Sequence, residues 1–214
     1  MQLDVVLPGY GRPYLDGDSL DHSRPLIATL ADVMSPAECA AMIARIDQLH
    51  PTAAPISTSR GAVMRPDIRN NERVMFDDPP LAAELHRRIA HALPVPLCGM
   101  LPVGSNERFR GYRYTPGQRF APHFDGAFVR DGRERSLLTL IIYLDEGCTG
   151  GLTNFLDFDL AVTPRRGTAL VFQHQLLHEG AVVTAGVKYV LRSDVMYREQ
   201  ASGLGLQASG LGRT

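Results

Sequence analysis

The sequence predicts an α+β fold in which helices buttress an antiparallel β-sandwich or barrel. Three observations predict it. Both helical patterns fall before residue 95. From residue 100 onward the chain is a succession of short strand-like runs. Those runs are separated by Gly and Pro punctuation, "PGQ", "TGG" and "PRRG", the mark of many short strands joined by turns.

Residues 1–34 are rich in Pro, Gly and Asp and read as a loop-rich lead-in, with one strand near "PLIATLADV". One domain is expected over residues 35–199. It opens with "SPAECAAMIARIDQLH", where Ser35 is an N-cap, Pro36 stands at the first helical position and Glu38 completes a capping box. Cys39, Met42, Ile43 and Ile46 form one apolar helical stripe. A second helix, "PPLAAELHRRIAHAL", begins with two prolines behind Asp78 as its cap. The Arg-rich segment between them, "PISTSRGAVMRPDIRNNERVMFDD", reads as loop and short strands. Strands are then predicted at "ERFRGYRYT", "SLLTLIIYLDE", "LTNFLDF", "TALVFQH" and "KYVLRSDVMY". Residues 200–214, in which "QASGLG" occurs twice, are expected to be a disordered Gly/Ser-rich tail.

A chain of 214 residues with 44% hydrophobic and 21% charged residues suits one soluble domain with a sizeable core. A net charge of −1 argues against a nucleic-acid partner. No apolar run reaches membrane-spanning length, and "MQLDVVLPGYGRPY" has no secretory pattern. Cys39, Cys98 and Cys148 are too scattered for a disulfide framework or a metal knuckle. Together these features lead us to expect a reducing cytoplasm.

Chemistry is suggested first by "APHFDGAF". Residues i and i+2 of a strand share a face, so His123 and Asp125 would converge while Phe124 turns away into packing. An imidazole and a carboxylate so placed supply two legs of a 2-His-1-carboxylate iron site. The third ligand must be a distant histidine in "FQHQLLHEGAVV". His178, where an apolar strand gives way to "HEG", is preferred over His174, which reads as a strand-ending or supporting group. Ten residues beyond His178 stands Lys188, the single lysine among 22 basic residues. A cation buried in a barrel needs a partner, and a bound dicarboxylate would provide one; a surface lysine is the alternative. Arg192 and Asp194 share strand parity with Lys188 and should face inward with it. They would pair with each other, orient a metal-binding histidine or meet a polar substrate.

In combination, "YTPGQRFAPHFDG", "GGLTNF", "GTALVFQHQLLHEG" and "GVKYVLRSDVMY" resemble the Fe(II)/2-oxoglutarate dioxygenases of the prolyl 4-hydroxylase type. The resemblance covers roughly residues 36–198, with "DIRNNERVMF" similar to that family's "IRTS" segment. It implies a double-stranded β-helix, or jelly roll, and iron bound by His123, Asp125 and His178. Lys188 would pair with the distal carboxylate of 2-oxoglutarate and the Tyr114 hydroxyl would bond the same group. Thr153 would help line the pocket, and Arg192 is a further candidate for the carboxylate. The implied cofactors are Fe(II), 2-oxoglutarate as co-substrate and O2, with stimulation by ascorbate expected. The implied reaction hydroxylates an unactivated C–H bond and releases succinate and CO2. Asp125 also separates this chain from halogenases of the superfamily, which have a small residue there.

The substrate is left between a prolyl peptide or protein and a small molecule such as a free amino acid. Arg60, Arg65, Arg69 and Arg73, with Arg110 and Arg113, favour one that carries a carboxylate or another anion. The alternative is a non-catalytic jelly roll that binds metal or ligand.

Overall fold

The computed structural model describes residues 2–200 except Asp16, Ser59 and Arg60. All of the Gly/Ser-rich tail beyond Gln200 lies outside the described residues, and so does Arg60. The chain starts with β1 (Leu3–Leu7) and β2 (Ile27–Leu30), followed by α1 (Pro36–Gln48). Next come β3 (Thr52–Ala53), β4 (Ile56–Thr58), β5 (Gly61–Val63) and β6 (Glu72–Asp77), then α2 (Pro79–Ile89) with a 3-10 turn at Ala90–Ala92. The rest is strand: β7 (Met100–Ser105), β8 (Arg108–Tyr114), β9 (Phe120–His123), β10 (Glu134–Tyr143) and β11 (Thr149–Gly150). After them run β12 (Thr153–Phe155), β13 (Leu160–Val162), β14 (Ala169–Gln173), β15 (His178–Gly180), β16 (Val183–Ala185) and β17 (Lys188–Glu199).

Both helices start as their sequences dictate. Ser35 Oγ accepts from Glu38 N at 3.2 Å while the Glu38 carboxylate accepts from Ser35 N at 2.7 Å, a complete capping box. Asp78 Oδ1 accepts from Leu81 N at 3.0 Å. Two sheets form the jelly roll. The larger runs β1-β2-β14-β10-β17-β8-β6-β3, with β7 also paired to β17, and the smaller runs β13-β12-β15-β9. All pairings are antiparallel.

The central strands of the larger sheet are buried on both faces, by different partners. Leu138, Leu140, Ile142, Phe109 and Leu191 meet Ile46 of α1 and Leu85 and Ile89 of α2 in one apolar cluster. The alternate residues Tyr143, Tyr112, Tyr114 and Val190 meet Phe155 and Val183 in a second cluster, inside the roll. This alternation makes inner-face residues of β8, β10 and β17 the walls of the interior.

Three features of the strands depart from simple sequence patterns. β7 contains Pro102 and Gly104, which mask a strand. It follows the same edge of β17 as β8, with the break at Asn106. β9 contains Pro122, which is tolerated because β9 is the edge of the smaller sheet. A bulge in β10 is the third: Ser136 faces Met196 and Leu138 faces Val195, so Leu137 is an extra residue. Ser136 and Thr139, three apart, therefore share the inner face.

Gly167 ties the helical layer to the sheet. Its carbonyl accepts from Val33 N at 2.8 Å and Met34 N at 3.2 Å, its φ is +74°, and a Cβ there would lie 2.1 Å from the Met34 carbonyl oxygen. Gly167→Ala should therefore cost about 2 kcal/mol or more, a fall in Tm of about 5 °C or more for a domain of this size. Gly104→Ala, where a Cβ meets no atom within 4 Å, should leave Tm close to wild type in the same melting experiment.

Candidate active site

His123 ends β9 and His178 begins β15, and the two are directly opposed in the ladder between those strands. Asp125 lies two residues past the end of β9, where its backbone N–H donates to the His174 carbonyl at 3.1 Å. Strand parity alone therefore does not aim Asp125; the turn after β9 does. The three side chains come together as the sequence suggested, with one donor atom of each lying within 4.8 Å of the others. Phe124 is not packed away as expected. It is 57% exposed and borders a cavity beside the site.

Each histidine has its tautomer set by a local carbonyl. His123 Nδ1 lies 2.8 Å from the Ala121 carbonyl oxygen and His178 Nδ1 2.9 Å from that of Leu176. Both Nδ1 atoms thus carry the proton, and both Nε2 lone pairs face Asp125, at 3.8 Å and 3.5 Å. Burial pushes the His123 imidazole down to about 3, and burial lowers His178 likewise. Neutral imidazoles with free Nε2 atoms beside a carboxylate are a donor set that suits a divalent transition metal. Phe120 stacks on His123 with ring centroids 3.6 Å apart, and Phe172 packs edge-on against His178 at 4.6 Å. These contacts fix both ring planes.

Burial alone would raise the Asp125 carboxyl, but the Arg192 guanidinium, helped by the Thr139 hydrogen bond, outweighs it and holds it well below the usual carboxylate range. Arg192 Nη2 contacts Asp125 Oδ1 at 2.9 Å and Asp194 Oδ1 at 3.3 Å. The Arg192–Asp194 pair considered from the sequence is present, and Asp125 is the nearer partner.

His174 stands behind Asp125, outside the three-residue cluster. Thr139 Oγ1 donates to Asp125 Oδ2 at 2.6 Å and lies 2.9 Å from His174 Nδ1. His174 Nε2 lies 2.8 Å from Ser136 Oγ, which accepts from Phe128 N at 2.8 Å. Only one assignment of protons satisfies every group: Phe128 N–H to Ser136, Ser136 to Nε2, Nδ1–H to Thr139, Thr139 to the carboxylate. Ser136 and Thr139 went unnoticed in the sequence because the β10 bulge that aligns them leaves no mark on residue type.

Lys188 begins β17 and is 3% exposed, so it is no surface lysine. Nζ donates to the Gly151 carbonyl at 2.5 Å and lies 5.3 Å and 5.7 Å from the ring centroids of Tyr114 and Tyr143. Among the described residues no carboxylate pairs with it. Burial pulls the ammonium down to about 8. Tyr114 and Thr153 line the same narrow cavity, which reaches His123, Asp125 and His178. Thr153 Oγ1 is hydrogen-bonded to the Tyr143 hydroxyl at 2.8 Å. Tyr143 was missed in the sequence, being one aromatic in an apolar run; its inward parity with Thr139 was the available signal.

The arginines separate into two groups. Arg65 is tied to Asp67 at 2.6 Å on the surface, and Arg113 to Glu72 and Asp47 on the outer face of the sheet. Arg69, Arg73 and Arg110 line the wider cavity next to His123 and Asp125.

The sequence model of the 2OG-Fe(II) oxygenase superfamily matches residues 109–193, from β8 to β17. A putative prolyl 4-hydroxylase of Acanthamoeba polyphaga mimivirus is 26% identical over 154 residues, covering 63% of this chain and 60% of that protein. Prolyl 4-hydroxylase subunit alpha-2 of Gallus gallus is 30% identical over 181 residues, covering 78% of this chain and 31% of that protein. The chain thus spans less than two thirds of the length of either relative. Among solved structures, the viral collagen prolyl hydroxylase of Paramecium Bursaria Chlorella virus-1 superposes with a TM-score of 0.58 at 19% identity, over 89% of this chain and 98% of that one. That likeness shows the fold.

Lys188 yields a test of the site's energetics. A lysine lowered from 10.5 to about 8 gives up its proton more readily in the fold than in the unfolded chain. Its charge therefore destabilises the fold most below pH 8, and the deficit shrinks as pH rises towards 10.5. Lys188→Met should stabilise the fold at pH 7 by about 3 kcal/mol, from 1.36 kcal/mol per pK unit, and so raise Tm, with the gain fading towards pH 10. A lower Tm at pH 7 would mean that the ammonium has a stabilising partner.

Proposed function

The chain belongs to the 2OG-Fe(II) oxygenase superfamily, in its prolyl 4-hydroxylase-like branch, and on that premise we propose that it is an Fe(II)- and 2-oxoglutarate-dependent hydroxylase. The observation that carries this reading is the convergence of His123, Asp125 and His178 at one end of a cavity whose other wall holds an unpaired buried lysine. In this proposal those three residues bind iron through His123 Nε2, His178 Nε2 and the Asp125 carboxylate. Lys188 binds the distal carboxylate of 2-oxoglutarate, with Tyr114 and Thr153 beside it. Bound there, Fe(II) supplies the chemistry that couples decarboxylation of 2-oxoglutarate, to succinate and CO2, with transfer of an oxygen atom from O2 to a C–H bond.

The protein's own part follows from its side chains. Ala121 and Leu176 hold the Nδ1 protons so that Nε2 remains a lone-pair donor at neutral pH. Thr139 and Arg192 keep Asp125 ionised and oriented. Burial of Lys188 leaves its ammonium with no counter-ion until a carboxylate arrives, which favours an anionic co-substrate. The phenyl rings of Phe120, Phe155 and Phe172 surround the histidines and exclude water. Substrate enters by the wider cavity, which shares His123, Asp125 and Arg192 with the narrow one. It is a peptidyl or small molecule, and ascorbate sustains turnover.

Succinate release measured across a range of Fe(II) concentrations tests the ligand set. His178→Ala should give no iron-dependent succinate. His174→Ala should retain turnover once iron is saturating, with iron affinity lower by about 10- to 100-fold, as for groups that orient a ligand. Equal loss in the two variants at saturating iron would place His174 among the ligands.

The affinity for 2-oxoglutarate should depend on pH through Lys188. A carboxylate bound to the ammonium raises its pKa, so binding takes up a proton once pH exceeds about 8. The 2-oxoglutarate Kd should be flat below pH 8 and rise above it, approaching about tenfold per pH unit. Titrations at pH 7 and pH 9.5 that give the same Kd would remove Lys188 from the co-substrate site.

A further inference from the structure

The wider cavity, about 650 Å³, shares His123 and Asp125 with the narrow one, and Lys188 is not among its walls. Four guanidiniums line it, those of Arg69, Arg73, Arg110 and Arg192. Two of them have acids. Arg110 contacts Asp194 at 3.2 Å, and Arg192 divides itself between Asp125 and the same Asp194. Among the described residues, no carboxylate forms an ion pair with Arg69 or Arg73.

Arg69 is 4% exposed. Its guanidinium lies against the rings of Tyr112 and Phe120, at 4.6 Å and 4.2 Å from their centroids. Nε donates to the neutral Asn71 Oδ1 at 2.7 Å, and the buried Nη2 has no hydrogen-bond partner. Its backbone is held by a bridge to Phe120. Arg73 stands on β6, directly across the ladder from Tyr112 on β8. It is partly buried, and Arg69, Arg110 and Arg192 all act on it as like charges. The Tyr112 phenol registers the same field. Burial would raise it, yet Arg69, Arg192 and Arg110 draw it down to about 8.

We propose that this cavity takes a small dianionic substrate whose oxyanions bind Arg69 and Arg73. The proposal rests on the reading of the adjoining triad as an iron and 2-oxoglutarate centre. Two buried or half-buried guanidiniums without counter-charge are costly unless a ligand supplies it. Guanidinium forks match carboxylate or phosphate oxygens in a bidentate manner. The Arg69 guanidinium is held against two rings and the Arg73 backbone is fixed in the β6–β8 ladder, which limits the ordering that binding would cost. The volume falls within the range of roughly 300–1,000 Å³ usual for small-molecule sites. A neutral prolyl segment in this space could offer both guanidiniums its carbonyl oxygens but no counter-charge, and so would offset less of the cost of their burial.

The test uses full-length protein loaded with Mn(II) and saturating 2-oxoglutarate without O2, so that the co-substrate site is filled and no turnover occurs. Three probes are titrated calorimetrically: N-acetyl-L-glutamate, its near-isostere N-acetyl-L-glutamine with one charge fewer, and O-phospho-L-serine. The expected result is that N-acetyl-L-glutamate or O-phospho-L-serine binds at least tenfold more tightly than N-acetyl-L-glutamine, and that Arg73→Gln removes this preference. Which of the two acids binds better separates a dicarboxylate from a phosphate ester. In the ligand-free protein Arg73→Gln should also raise Tm by a few degrees, because it relieves repulsion among like charges; a structural role for Arg73 would lower it. Equal binding of the acid and the amide, a preference untouched by Arg73→Gln, or no binding of either acid at millimolar concentration overturns the proposal. The Mn(II) and 2-oxoglutarate affinities of the same samples are read first. Their failure would sink the hydroxylase reading, whereas intact loading without anion preference would sink this inference alone.

Discussion

Asp125 is a buried anion in a turn, and much of the interior is arranged around keeping it charged and aimed. Removing a carboxylate from water is expensive unless its oxygens are paired. Here one oxygen meets the Arg192 guanidinium and the other the Thr139 hydroxyl. Arg192 comes from β17, Thr139 from β10 and the two histidines from β15 and β9, so both sheets contribute to one ionic centre. The jelly roll brings these strands together, because closing two antiparallel sheets face to face puts alternate residues of each into a common interior.

Lys188, Arg192 and Asp194 lie at alternate positions of a single strand, and each meets a different fate. Lys188 has a carbonyl where a carboxylate would suit it. Arg192 has two acids. Asp194 has two arginines. The narrow cavity therefore ends in an unpaired cation, while the wider one carries two more cations than its own acids offset. The centre is thus flanked by cations on both sides, with Asp125 on the wall that the two cavities share.

Much of this was legible in the residues. The capping box, the proline-started second helix and the five principal strands follow from local pattern, because caps and alternation are local physics. His123, Asp125, His178 and Lys188 were readable because histidine beside aspartate and a solitary lysine are unusual residue choices at informative spacings. What escaped notice has a physical reason in each case. β7 carries a proline that its edge position tolerates. The β10 bulge changes side-chain parity without changing composition, so Ser136 and Thr139 looked like opposite faces of one strand. Phe124 was expected to turn away into packing because strand alternation was carried past His123, where the strand ends. The arginines could not be sorted by sequence: only the fold brings Glu72 and Asp47 to Arg113, and nothing in residue type separates Arg65, which turns to its near neighbour Asp67, from Arg69, which does not meet an acid among the described residues.

The hydrogen-bond series from Phe128 to Asp125 has a definite direction. It begins on a backbone N–H, which can only donate, and ends on a carboxylate, which can only accept. Between these ends no hydroxyl rotor and no flip of the His174 ring gives an equivalent arrangement. The orientation of the carboxylate is thus single-valued, and the loss of its rotational freedom is met during folding. Because the series starts at Phe128, on the wall of the wider cavity, the loop that walls this cavity and the carboxylate at the centre form one ordered unit: the segment that shapes the cavity also sets the aim of the acid.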